Sequence, residues 1–131
     1  GPMGYWVRDF MTLLRFEQAQ ARRYQRPLSV LILRVHNIEA MSDAWGGRGL
    51  SQVFAHLVDV LSECLRETDA VTARNHVVYV LLPETPMAET EVIAQRLRET
   101  VGTVVASPMR ITVERSGGVD GLSTVLEALT D

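Results

Sequence analysis

Thirteen arginines and no lysine carry the positive charge of this 131-residue chain. That composition removes lysine nucleophiles and the phosphate-loop lysine from the available chemistry. An anion site must be built from guanidinium groups, backbone N–H groups or helix ends. His36 and His76 have no third ligand at helical or hairpin spacing, so they read as polar surface or hydrogen-bonded core rather than a metal site. The single cysteine, Cys64, sits among Leu57, Val60, Leu61 and Leu65 at helical spacing and reads as a small buried hydrophobe. It has no internal disulfide partner, which fits a reducing, cytoplasmic setting. No nucleophile stands with a recognisable base and orienting group, so hydrolase chemistry has no support.

Sixteen acidic residues against thirteen basic ones give a net charge of −3, and 47% of the chain is hydrophobic, the profile of one globular domain. A duplex-binding protein needs a concentrated basic face, so DNA is an unsuitable partner. The longest apolar run, Leu28 to Val35, is interrupted by Ser29 and Arg34 and is far short of the roughly 20 residues of a membrane span. Gly1-Pro2 reads as a tag-cleavage scar, leaving residues 3–131 as a single domain expected to be cut from a longer protein.

The elements that must position any site follow from periodicity. Asp9 to Gln25 carries Phe10, Leu13, Leu14, Ala21 and Tyr24 on a helical pattern, stopped by Pro27. Leu28 to Val35 has the density of a central strand. A short helix from about Asn37 to Trp45 is broken by Gly46, Gly47 and Gly49. Leu50 to Leu65 then repeats at three and four, predicting a long helix ending near Arg66. Val71 to Arg74 and Val77 to Leu82 predict a hairpin turning at Asn75-His76. Thr85-Pro86 predicts a cap and first turn for a helix reaching Gly102. Val104, Val105, Ile111 and Val113 predict short strands around Pro108, and Ser116 to Gly118 a turn into a last helix at Leu122 to Leu129. The order predicts an α+β fold, helices on a mostly antiparallel sheet. Trp45, Tyr24 and Tyr79 read as packing residues.

Residues 8 to 102 resemble the GGDEF domains, the diguanylate cyclase fold. The resemblance runs through Ala21 to Leu33, the long helix, Arg66-Glu-Thr-Asp69, Val80 to Thr85 and Ile93 to Arg98. Thr103 to Asp131 matches only as a strand and a helix and is shorter than the family's usual ending. The resemblance implies a nucleotidyl-cyclase-like α+β fold, a central sheet flanked by helices. Active members close the first strand with an acidic metal-binding pair and carry Gly-Gly-Asp/Glu-Glu-Phe at the hairpin. Here Arg34 and His36 replace the pair, Arg74-Asn-His-Val-Val78 replaces the signature, and Ser42 stands where the family has a guanine-reading asparagine. Divalent ions on a triphosphate need oxygen ligands, and an arginine repels the ion it displaces. The expectation is a degenerate domain with no catalytic residues, no metal and no cofactor.

The resemblance also implies an inhibitory-type site for cyclic di-GMP at Arg66, Asp69 and Arg96. Composition alone would supply about 0.6 Arg-x-x-Asp strings in such a chain, so its placement between long helix and hairpin is what carries meaning. Guanine presents O6 and N7 to a guanidinium and N1–H and N2–H to a carboxylate, so Arg66 or Arg96 suits one edge and Asp69 the other. The implied function is a second-messenger receptor, with a homodimer or ligand-bridged dimer and protein partners or flanking domains around it. Two other readings stay open. Arg66 and Asp69 could form only a local helix-end pair, with Arg96, Arg98, Arg22, Arg23 and Arg26 as solvated faces, leaving a ligand-free interaction or dimerisation module. An enzyme with altered nucleotide chemistry is the third.

Overall fold

The computed structural model describes residues 5–104, 110–117 and 121–130. Its elements are α1 (Val7–Tyr24), β1 (Leu28–Val35), α2 (Ile38–Glu63), β2 (Ala70–Arg74), β3 (Val77–Pro83), α3 (Met87–Val104), β4 (Ile111–Gly117) and α4 (Leu122–Thr130). The sheet runs β2-β3-β1-β4 and every pairing in it is antiparallel.

β1 is buried from Leu28 to Leu33 because both faces of the sheet are covered. Val30 and Ile32 pack with Phe10 and Leu14 of α1 and Leu122 and Leu129 of α4, while Leu31 and Leu33 pack with Phe54, Leu57 and Leu61 of α2 and Leu97 of α3. The alternation that a strand imposes therefore feeds two cores, one on each side. Phe10, Leu14, Gln18 and Ala21 form the inward stripe of α1. Gln25, left-handed at φ 52°, ends that helix by donating its N–H to Ala21 O, ahead of Pro27.

The hairpin follows the sequence closely. Arg74 pairs with Val77, and the two turn residues, Asn75 and His76, both have positive φ (50° and 62°), as a two-residue primed turn demands. Asn and His tolerate that region better than β-branched residues do.

Several expectations are corrected, among them the turn at Ser116 and Gly117, which are instead the last residues of β4, paired with Val30 and Ser29. The short helix and the long helix are one element, α2, kinked at Gly46, whose φ of 73° and ψ of 168° only glycine adopts readily. α2 ends at Glu63, so Arg66 lies on the turn after the helix and not at its end. α3 continues to Val104, which is helical and not a strand residue. Thr85 is not the cap of α3, which begins at Met87; its hydroxyl donates to Pro83 O at 2.9 Å. Val105, Pro108 and Gly118 lie outside the described residues. Tyr24 is half-exposed, stacked by the guanidinium groups of Arg23 and Arg26 at 5.4 and 5.1 Å from its ring centre.

Candidate functional site

Arg66 to Asp69 form a tight turn between α2 and β2. Asp69 N–H donates to Arg66 O at 3.0 Å, and the Asp69 carboxylate folds back to accept the Arg66 N–H at 2.9 Å. The three-residue spacing is thus what lets one side chain satisfy both ends of the turn. Asp69 is buried, its side chain 3% exposed, and an isolated charge there would be costly. It is answered by the Arg66 guanidinium: Nη2 donates to Oδ1 at 2.8 Å and Nε lies 3.2 Å from both oxygens. The same Nη2 also reaches Pro83 O and Thr85 Oγ1, each at 2.8 Å.

Arg66 therefore staples the turn to the exit of β3. Thr85, itself buried, is held in turn by Ser29 of β1, whose hydroxyl donates to Thr85 O at 2.7 Å. The hydrogen bond with Asp69 raises the Arg66 pKa first of all; burial opposes it, and the charges of Asp69, Glu89 and Glu84 add to it. The guanidinium is permanently charged and half-exposed, and Nη1 has no hydrogen-bond partner among the described residues.

Arg96 stands on α3, exposed, with no side-chain hydrogen bond or ion pair among the described residues. The field of Glu89 reaches Arg66, and Thr100 Oγ1 lies 3.5 Å from Cys64 Sγ at the end of α2. Glu89, Arg96 and Thr100 are seven and four residues apart, one face of a helix, so Arg96 lies on the side of α3 turned toward the Arg66 turn. Arg98 belongs to a different set, with Nη1 3.5 Å from Glu91 and 3.3 Å from Gln95. Arg26 is bonded to Glu84 at 3.4 Å. Sequence reasoning missed Pro83 and Thr85 as partners of Arg66; the polar Thr85 closing an apolar strand was the available signal.

The opposite end of the sheet carries Arg34 and His36. Arg34 Nε donates to Glu114 at 2.9 Å, and His36 Nε2 lies 2.8 Å from Thr112 Oγ1, both across the β1–β4 pair. Arg74 Nη1 donates to Leu129 O at 2.8 Å, a carbonyl at the C-terminal end of α4, where a cation is favoured. Burial raises the Tyr79 phenol pKa, opposed by the charges of Arg34 and Arg74. His76 leans on Phe54, ring centres 5.3 Å apart. Among the described residues no three His, Cys, Asp or Glu side chains converge as a metal site would require. Cys64 is only half-buried, its thiol 3.7 Å from Val60 O.

A family model for the diguanylate cyclase GGDEF domain matches residues 8–120. Among solved structures, the FimX GGDEF domain of Pseudomonas aeruginosa superposes with a TM-score of 0.79 at 12% identity, over 100% of this chain and 93% of that one. The GGDEF domain of DgcB from Caulobacter crescentus, solved with c-di-GMP, gives 0.74 at 13% identity, over 98% and 85%. The diguanylate cyclase SiaD of Pseudomonas aeruginosa, solved with its activator SiaC, gives 0.74 at 19% identity, over 94% of this chain and 54% of SiaD, so the chain spans about half of that relative. These likenesses establish the fold. Among curated proteins no sequence matches. No helix among the described residues is long and apolar enough to cross a membrane.

Proposed function

The chain belongs to the diguanylate cyclase GGDEF domain family, and from that premise we propose that it is a catalytically silent member that binds cyclic di-GMP at Arg66, Asp69 and Arg96 and acts as a cytoplasmic receptor. The observation that carries this reading is a guanidinium held in place by a buried carboxylate, with Nη1 and the Arg96 side chain on α3 both without a hydrogen-bond partner among the described residues. Such preorganised cations suit guanine O6 and N7 or a phosphate. Asp69 serves this site by fixing Arg66.

Silence rests on the other end of the sheet. Arg34 and His36 are occupied by Glu114 and Thr112, and among the described residues a triphosphate with two divalent ions has no converging set of carboxylates to land on. Incubation with GTP and magnesium or manganese should yield no cyclic di-GMP; product above a no-protein blank overturns this half. Isothermal titration with cyclic di-GMP, with GTP as control, tests the other half. A ligand touching arginines of two copies would bridge them, so light scattering should show a rise in mass on saturation.

The ligand-free interaction module is favoured by one observation: Arg66 already satisfies Asp69, Pro83 and Thr85 without any ligand. Titration without saturable binding selects it.

A further inference from the structure

α1 carries charge and aromatic surface that neither the sheet nor the proposed ligand site uses. Residues 8–26 hold five arginines against Asp9 and Glu17, a net +3 in a chain of net −3, so the rest of the molecule stands at −6. Arg8, Arg15 and Arg22 repeat every seven residues, about 10.5 Å apart along the axis, and Phe16 and Arg23 form the adjacent row. Both rows are exposed, off the inward stripe of Phe10, Leu14, Gln18 and Ala21. Arg8, Arg15 and Arg23 have no carboxylate partner among the described residues, whereas Arg26, Arg34 and Arg115 are paired. The charge of this face is not neutralised internally.

Aromatic rings accompany it. Trp6 at the start of α1 is 83% exposed, Phe16 in its middle is 56% exposed, and Tyr24 stands at its end. Exposed rings interleaved with guanidinium groups suit the boundary between water and hydrocarbon, where rings sit at headgroup level and arginines reach phosphates. α1 is a convex ridge 18 residues long, about 27 Å, and a ridge meets a plane of headgroups along its whole length. A single strand of nucleic acid is held instead in a groove that tracks its backbone. We propose that the outer face of α1 docks on an anionic lipid bilayer, with Arg8, Arg15, Arg22 and Arg23 on headgroup phosphates and Trp6 and Phe16 in the interfacial layer. The −6 of the remaining surface orients the molecule with α1 toward the membrane. α1 and α3 cover opposite faces of the sheet, so docking leaves α3 facing solvent, and it does not depend on the receptor role.

The test is co-sedimentation with vesicles of phosphatidylcholine alone and of phosphatidylcholine with an equal share of phosphatidylserine, at low and high salt. The parent should partition to the anionic vesicles only, and salt should release it. Arg15→Gln/Arg23→Gln removes two charges from the face, and Arg48→Gln/Arg110→Gln removes two exposed charges elsewhere, so the two variants have the same net charge. Each arginine near an anionic surface contributes roughly fivefold, so the α1 pair should bind roughly thirtyfold more weakly while the control pair binds as the parent does. Phe16→Ser should weaken binding several-fold at unchanged charge. All the substituted side chains are exposed, and circular dichroism checks that each variant is folded. A parent that stays in the supernatant beside anionic vesicles at low salt, or equal losses in the two pairs, overturns the proposal. Phe16→Ser binding as tightly as the parent overturns the seating of the rings. Binding of oligouridine RNA tighter than that of the vesicles, and lost in the Arg15 and Arg23 variant, assigns the face to nucleic acid and overturns the bilayer.

Discussion

The sheet has two polar ends, about 20 Å apart along β1 from Leu28 to Arg34, and they have been finished differently. At the Leu28 end a buried carboxylate anchors Arg66, and Nη1 and the exposed Arg96 have no partner among the described residues. At the Arg34 end Glu114, Leu129 O and Thr112 absorb Arg34, Arg74 and His36. The lesson is that counting arginines does not locate an anion site. A guanidinium that is fixed from behind and open in front can receive a ligand, whereas one whose charge is neutralised by a neighbour on the same surface serves the fold.

The largest effect expected at the anchored end is from Asp69→Ala. It removes the acceptor of the Arg66 N–H and of Nε, leaving Nη2 only Pro83 O and Thr85 Oγ1, costing about 1–3 kcal/mol, which denaturant unfolding reads, together with a loss of cyclic di-GMP binding. An unchanged midpoint would show that the carboxylate anchors nothing. At the far end the turn is the sensitive point: Asn75→Val forces a β-branched residue to φ 50° and should cost about 1–2 kcal/mol with binding at Arg66 preserved. Loss of binding in that variant would mean the two ends are coupled.

A smaller effect is expected from Arg34→Asp. It breaks an exposed pair with Glu114, whose side chains are 44% and 53% exposed, so stability should change by less than about 1 kcal/mol. Restoring one carboxylate beside the Arg74 to Val78 turn should still give no turnover of GTP. Cyclic di-GMP formed by this variant would place silence in Arg34 alone.

The smallest effect concerns Glu17 on α1. Burial raises its carboxyl pKa, helped by the charge of Glu84 and partly offset by Arg26. A carboxyl with a raised folded-state pKa binds protons more readily folded than unfolded, so it costs stability as pH rises from the ordinary glutamate range through its folded value. Glu17→Gln should therefore raise Tm slightly at pH 7, and the gain should vanish below the ordinary range, where both states are protonated. A gain that persists in acid would trace to something other than charge.

Legibility differed between the two ends as well. The hairpin was readable because Asn75-His76 sits between two β-branched runs, and β1 because it must be apolar on both faces. The kink at Gly46 was visible as a glycine but not as a kink, since a break and a bend leave the same letters. The extension of α3 past Gly102 was hidden because Val104 is equally at home in a helix or a strand. At the site, Arg66 and Asp69 could be chosen by their placement between the long helix and the hairpin, as the family resemblance implies, but not the direction of the Asp69 carboxylate. The guanidinium that this carboxylate meets is itself held by Pro83 O and Thr85 Oγ1, brought there by the return of β3 across the sheet.

The most direct test of the receptor role is a side-by-side titration of cyclic di-GMP into the parent and Arg66→Ala, both shown to be folded. The parent should bind saturably, and Arg66→Ala should bind roughly ten- to a hundredfold more weakly, the worth of a charge-assisted contact together with the scaffold it holds. Equal affinity in the two proteins, or no saturable binding by the parent, contradicts that role.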